Sequence, residues 1–138
     1  MRHYEYLILN RKIISPLLKN RVWYVRYNLD INKMIEASKY LIGEHNFNAF
    51  RSRECCAKNP IRSIKSIKIS KHKYIIKISI SAPSFLHNQV RIITGTLADI
   101  ASDKKAVLDM ENILKQQDRT KAGQTAPACG LYFCKVDY

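Results

Sequence analysis

The sequence predicts an α+β fold: a mixed, largely antiparallel sheet with helices packed on one face. Three observations carry this reading. Segments of strand and helix character mix along the chain in the order strand, short strand, helix, two strands, two helices, strand. The two central strands read as an antiparallel hairpin with one apolar face. The helix that follows carries an apolar stripe that must be covered. With 46% apolar and 9% aromatic residues in 138, the chain can fill the core of one domain spanning residues 1–138.

Each element has a local reason. Residues 3–9 alternate, with Tyr4, Tyr6 and Ile8 on one side and His3, Glu5, Leu7 and Leu9 on the other, which is a strand. Little precedes it, so the chain is expected to start mid-domain and to leave this strand with an unpaired edge. Ser15-Pro16 marks a break, and Trp23–Tyr27 reads as a second short strand. Asp30 is an N-cap; Ile31, Met34, Ile35, Ser38, Leu41 and Ile42 share a helical face, and Gly43 is the stop. Asn59-Pro60 separates a basic loop from a strand over about 61–70. A turn near His72 leads into a strand with Tyr74, Ile76, Ile78 and Ile80 on one face and Lys77 and Ser79 on the other. Pro83-Ser84 ends the hairpin. Leu86, Val90, Ile93, Leu97, Ile100 and Ala101 then fall within an arc of about 100°, an amphipathic helix. Arg91 lies off that arc, as does Gly95, which costs about 1 kcal/mol against alanine mid-helix and marks close approach by another backbone or a ligand. Asp103 reads as the cap of a further helix with Val107, Met110 and Leu114. Thr120–Cys129, with Gly123 and Pro127, reads as an ordered loop, and Leu131–Val136 as the last strand.

The charge is strongly positive, +13, which points to a polyanionic partner, nucleic acid first and an acidic membrane surface second. Abundant Ile, Lys and Asn would follow from an AT-rich coding sequence alone, but the distribution would not. Residues 51–77 hold nine Lys or Arg against the single acid Glu54, a surplus of eight in 27 residues. Within that segment Arg51, Arg53, Lys58 and Arg62 are the candidate RNA-binding residues. No basic amphipathic helix occurs there, which weakens the membrane reading. The longest apolar runs, such as Tyr6-Leu7-Ile8-Leu9, fall far short of the roughly 20 residues of a membrane-spanning helix. The N-terminus lacks a signal-like apolar stretch, and the four cysteines (55, 56, 129 and 134) do not form a disulfide pattern, so a reduced, cytoplasmic chain is expected.

Few residues carry chemistry on pattern alone. Cys55-Cys56 and Cys129-x4-Cys134 lack the spacing of a zinc site, and no metal or cofactor is expected. No dinucleotide, P-loop or serine-nucleophile motif occurs. A cysteine nucleophile, and His87 as a general base at a helix start, have equally ordinary structural readings. Tyr4 and Tyr6 share a strand face and could stack on bases. Composition alone supports a basic α+β domain that contacts RNA.

Longer segments go further. Leu86-His87-Asn88-Gln89-Val90-Arg91-Ile92-Ile93-Thr94-Gly95-Thr96-Leu97 resembles the "HxMVRxxxGtL" helix of the tRNA pseudouridine synthase A family. The segment from Asp118-Arg119-Thr120 through Ala122-Gly123 and Thr125-Ala126-Pro127-Ala128 to Gly130-Leu131 is similar to that family's "DRTxAGxTAPAxGLyL", closing on Val136-Asp137-Tyr138. Tyr4-Glu5-Tyr6-Leu7-Ile8-Leu9-Asn10, Gly43–Phe47 and Asn59-Pro60-x-Arg62 match as well, so the resemblance covers essentially the whole chain. Gln89 stands where methionine is usual, Asn46 where aspartate is, and Phe133 where an aliphatic is; these read as packing or surface changes. The family's "GRTDxGVHA" motif with its nucleophilic aspartate is absent from these residues, and Asp30, Asp99, Asp103, Asp109, Asp118 and Asp137 all sit in other contexts.

The resemblance implies a C-terminal part of an isomerase that converts uridine to pseudouridine in the tRNA anticodon stem-loop, at tRNA positions 38–40, without cofactor or metal. In that reaction the glycosidic bond breaks, the uracil turns, and C5 bonds to C1′; the base must be flipped out and held. It assigns Tyr4 to stacking on the target base, Arg91 to pairing with the catalytic aspartate or a phosphate, and Leu131 to packing under the uracil. Each also has an ordinary reading, a core tyrosine, a solvated arginine and a core leucine, and on periodicity alone that reading would win for Tyr4 and Leu131. The resemblance further implies a homodimer, and this chain alone is expected to be inactive. The alternative is a stand-alone, non-catalytic RNA-binding module of the same fold.

Overall fold

The computed structural model describes residues 1–13, 16–18 and 20–136. Part of the predicted Ser15-Pro16 break, at Ser15, and the closing Asp137 and Tyr138 lie outside the described residues. The fold is α+β. Strand β1 (Arg2–Asn10) is the axis of a five-stranded sheet. It pairs antiparallel along its length with β6 (Ile75–Ala82), and β6 pairs with β5 (Ser66–His72). On its other side β1 pairs antiparallel with β7 (Leu131–Val136) and parallel with the short β2 (Trp23–Val25). Alternation sets the two faces. Tyr4, Tyr6 and Ile8 lie opposite Ile80, Ile78 and Ile76. The other face pairs Glu5 with Ser79 and Leu7 with Lys77.

Helices α1 (Ile31–Ser38), α2 (Gln89–Ala101) and α3 (Asp109–Gln116) supply the layer over the apolar face, and one core unites Tyr6, Ile8, Met34, Ile78, Ile93 and Leu97. Asp30 caps α1 as predicted, accepting a hydrogen bond from Asn32 N–H at 3.0 Å. A 3₁₀ turn over Lys39–Leu41 continues the helix, and Gly43 stops it with φ +98, a conformation open to glycine. Lys73-Tyr74 forms the two-residue turn of the predicted hairpin, with Lys73 at φ 55.

Four points differ from the sequence reading. The strand over 61–70 is two strands: β4 (Ile61–Ile64) pairs with β3 (Gly43–Asn46) in a separate ribbon, and β5 begins at Ser66. The three-residue step from Ile64 to Ile67 breaks the two-residue period, so the chain must change sheets at Lys65. Strand β3 has no counterpart in the sequence reading, because Gly-Glu-His-Asn lacks β-formers. Asp103 caps no helix: it turns at φ 68 and pairs with Lys33, while α3 starts at Asp109, whose Oδ2 accepts from Ala106 N–H at 2.8 Å. The expected unpaired edge of the first strand is absent, since β1 has neighbours on both sides. In α2 the far side is buried as well as the apolar stripe: from Ile92 to Ala98 every residue is buried, because the 122–126 segment covers it. No helix among the described residues is long and apolar enough to cross a membrane.

Candidate nucleic-acid interface

Volume does not pick out a site. Hollows of about 300 Å³ beside Arg11 and Tyr74, and about 420 Å³ beside Lys33 and Asp103, are surface depressions without convergent chemistry. A smaller cleft of about 80 Å³ brings together Tyr4, Arg91 and Leu131, with Phe85, Asn88 and Gln89 among its other walls. Three residues from the first strand, the long helix and the last strand therefore meet at one place.

Each is held by its surroundings. Tyr4 sits opposite Phe133 in the β1–β7 ladder. Its ring stands edge-on to Phe85 (centroids 5.3 Å, 86°) and tilted against Phe133 (5.1 Å, 35°). Leu131 opens β7 opposite Tyr6. Arg91 projects from the first turns of α2; its Nε donates to Ala126 O at 2.7 Å and its Nη1 to Asn88 Oδ1 at 3.2 Å. Ala126 N–H donates back to Arg91 O at 3.0 Å. The loop can lie this close because Gly95 and Gly123 lack side chains. A Cβ on Gly95 would stand 1.8 Å from Gln124 O, and one on Gly123 2.8 Å from the Thr96 backbone. Gly123 N–H also donates to Thr96 Oγ1 at 2.9 Å. The close backbone approach expected at Gly95 is thus observed, and the loop over 120–129 is ordered as expected.

Tyr6 shares Tyr4's face but not its access, which corrects its candidacy for stacking. It is fully buried, and its hydroxyl donates to Pro127 O at 2.6 Å. Burial pushes its phenol far above the usual range, with Cys129 adding to the rise and Arg91 opposing it.

The basic loop lies beside the cleft. Ser52 ties it to the start of α2: its N–H donates to His87 O at 3.2 Å, and its Oγ hydrogen-bonds His87 Nδ1 at 2.6 Å. His87 is exposed on this side and does not line the cleft. Arg53 and Lys58 are exposed. Arg51 and Arg62 are half-buried and donate to carbonyls of their own loop, Arg51 to Ala57 O at 2.6 Å and Arg62 to Asn59 O at 2.7 Å. The four cations therefore divide into two that build the loop and two that face solvent. Burial pushes the Cys55 thiol up, but the backbone amides of Ala57 and His87 and the Arg51 guanidinium outweigh it, and the net shift is downward. All four cysteines are free, and among the described residues no three His, Cys, Asp or Glu side chains gather as metal ligands.

Sequence reasoning missed Phe85 and Phe133 as walls around Tyr4, and Asn88 as the residue that orients Arg91. Asn88 carried a usable signal: asparagine is enriched in the left-handed region, and it starts α2 at φ 62. Arg119 was also unread. It anchors the 122–126 segment by donating to Gly123 O at 2.8 Å and Thr125 Oγ1 at 3.1 Å. Burial, with a smaller contribution from the Arg53 charge, lowers its pKa.

Known proteins are similar to this chain in sequence. Residues 37–138 match the family model described as tRNA pseudouridine synthase. Proteins named tRNA pseudouridine synthase A are similar over 99% of the chain: one from Ehrlichia chaffeensis (strain ATCC CRL-10679 / Arkansas) at 47% identity over 56% of its own length, and one from Wolbachia pipientis wMel at 50% over 56%. Another, from Orientia tsutsugamushi (strain Ikeda), is 46% identical over 49% of its length. The chain thus spans about half the length of the curated relatives it matches. By the extent of these matches, and with Tyr4, Arg91 and Leu131 gathered in one cleft, the chain belongs to the tRNA pseudouridine synthase family.

Proposed function

We propose that this chain is the base-holding, C-terminal part of a tRNA pseudouridine synthase acting on uridines of the anticodon stem-loop. The observation that carries the reading is the meeting of Tyr4, Arg91 and Leu131 in one cleft beside a basic loop. Tyr4 offers a ring face and Leu131 an apolar floor, which suit a flipped pyrimidine. Arg91, oriented by Asn88 and Ala126, presents a fixed cation to a carboxylate or phosphate. Arg53 and Lys58 suit phosphate contacts along the backbone, with Arg51 and Arg62 adding field.

The isomerisation breaks C1′–N1, forms C1′–C5, releases the C5 proton and returns a proton to N1, and it needs a carboxylate at the sugar. None of the described aspartates lines the cleft. Asp30 caps α1, Asp118 caps the turn at Arg119–Lys121, Asp103 pairs with Lys33, and Asp109 accepts from Ala106 N–H. The carboxylate is therefore assigned to a part of the protein outside these residues. The names of the relatives disfavour the alternative of a non-catalytic RNA-binding module. A cytoplasmic location and homodimerisation belong to the same proposal. The exposed Tyr132 and Phe133 on β7, an outer strand among the described residues, support self-association, and light scattering on the purified chain tests it: a dimer is expected and a monomer refutes it.

The test of the main reading has two readouts. With tRNA carrying C5-tritiated uridine, the chain alone should release no tritium above background. Release would mean that these residues already contain the nucleophile. With an anticodon-arm hairpin, the chain should prefer a target uridine over an abasic nucleotide at the same place by about tenfold, the scale of one base stack. Equal binding would overturn the reading of the cleft.

A further inference from the structure

Gln89 opens α2 and lines the same cleft, yet no role above uses it. Its side chain is completely buried. Its Oε1 accepts a hydrogen bond from Leu86 N–H at 2.8 Å. That contact fixes the amide: turned over, Nε2 would face the Leu86 N–H, donor against donor. Nε2 is thus a buried donor of defined position, and it has no partner among the described residues. Acceptors on the neighbouring residues are already engaged. Asn88 Oδ1 takes Arg91 Nη1, Leu86 O takes Gln89 N–H, and Ala126 O takes Arg91 Nε.

Leaving a buried amide donor unpaired is costly, and native proteins keep few such groups. An apolar side chain of similar length would fill the space without that cost. The geometry points to Gln89 as a base-recognition residue, its Nε2 donating a hydrogen bond to a carbonyl oxygen of the pyrimidine held against Tyr4 and Leu131. This rests on the reading of the cleft as a base pocket. A pyrimidine-dione ring carries two carbonyl acceptors, and a fixed, dehydrated donor discriminates strongly against a ring lacking the oxygen it meets. Packing by Tyr4 and Leu131 holds any flat ring, so Gln89 adds recognition that stacking does not.

The test compares the chain with Gln89→Met and Gln89→Glu variants. Four hairpins differ only at the target nucleotide: uridine, an abasic site, the 2-pyrimidinone riboside that lacks the C4 oxygen, and the 4-pyrimidinone riboside that lacks the C2 oxygen. Gln89→Met should weaken the uridine hairpin by about tenfold, the scale of one hydrogen bond, and leave the abasic hairpin within about twofold. With one of the two pyrimidinones the penalty should vanish. Gln89→Glu keeps the acceptor for Leu86 N–H but replaces the donor, so it should weaken the uridine hairpin at least as much. It also carries the test if the methionine variant does not fold. Unchanged uridine binding, an equal loss on the abasic hairpin, or a full penalty with both pyrimidinones would overturn the proposal. If the unaltered chain fails to distinguish uridine from the abasic site, the base-pocket reading falls and takes the proposal with it, an outcome visible before any variant is examined.

Discussion

The cleft and the basic loop are joined through Ser52 and His87, but they are built by opposite means. In the cleft Tyr4 is held by two rings and Arg91 by two acceptors, and the covering loop lies close because glycines allow backbone contact. In the loop, Arg53 and Lys58 are exposed cations. The difference suits the roles proposed for them. Holding a detached base would require geometry within a fraction of an ångström, whereas neutralising phosphates would require charge near a surface and tolerate motion. Mutations should therefore divide cleanly, with stability and base selectivity lost in the cleft and salt-dependent affinity lost in the loop.

The largest expected loss of stability is at Gly95. Helix propensity alone favours Gly95→Ala by about 1 kcal/mol. Collision of the new methyl with the Gln124 carbonyl opposes it by about 3 kcal/mol, the upper range for overpacking, so urea denaturation should show a net loss of about 2 kcal/mol. A stabilised variant would mean that the 122–126 segment does not sit on α2. Next comes Arg91→Lys, which keeps the charge but loses the fork that spans Ala126 O and Asn88 Oδ1. It should cost about 1.5 kcal/mol and reduce the preference for uridine over an abasic site; retention of both would show that the charge alone matters.

Tyr6→Phe removes the bond to Pro127 O and should cost about 1 kcal/mol at neutral pH. Because burial raises the Tyr6 pKa above its ordinary 10.0, the folded state keeps the proton after the unfolded chain releases it. That contribution is whole below the unfolded value and falls as pH rises past it. The unaltered chain should lose stability above that pH more steeply than Tyr6→Phe, and parallel alkaline profiles would contradict the burial of this hydroxyl. The smallest change in stability, under about 0.5 kcal/mol, is expected for Arg53→Glu with Lys58→Glu. The same pair should weaken RNA binding and flatten the slope of log K against log salt by about two if both cations meet phosphates. A slope that does not move would remove the loop from the interface.

The sequence made one of these regions easier to read than the other. Alternation exposed β1 and β6, and the charge run exposed the loop, because both signals are local. The apolar stripe on α2 gave one face of that helix, but the burial of its other face depends on a segment 27–35 residues away, announced only by Gly95. Strand β3 went unread because its pairing with β4, not its residues, makes it a strand. Asp103 looked like a cap by residue type; its positive φ and its pairing with Lys33 are tertiary facts. Tyr4 was a stacking candidate from its strand face, whereas the roles given to Arg91 and Leu131 were legible only through resemblance, and Gln89 read as a neutral replacement until its unpaired amide nitrogen was located.

The central claim, that the cleft between Tyr4, Arg91 and Leu131 receives the target base, is tested most directly by photocrosslinking. An anticodon-arm hairpin carrying 4-thiouridine at the target position is irradiated in complex with the 138-residue chain, and the adducts are mapped by mass spectrometry. The account predicts adducts on the peptides that contain Tyr4, Phe85 and Leu131, lost when a tenfold excess of unmodified hairpin competes. Adducts confined to the 51–62 loop or the β5–β6 hairpin, with none on those three peptides, would contradict it.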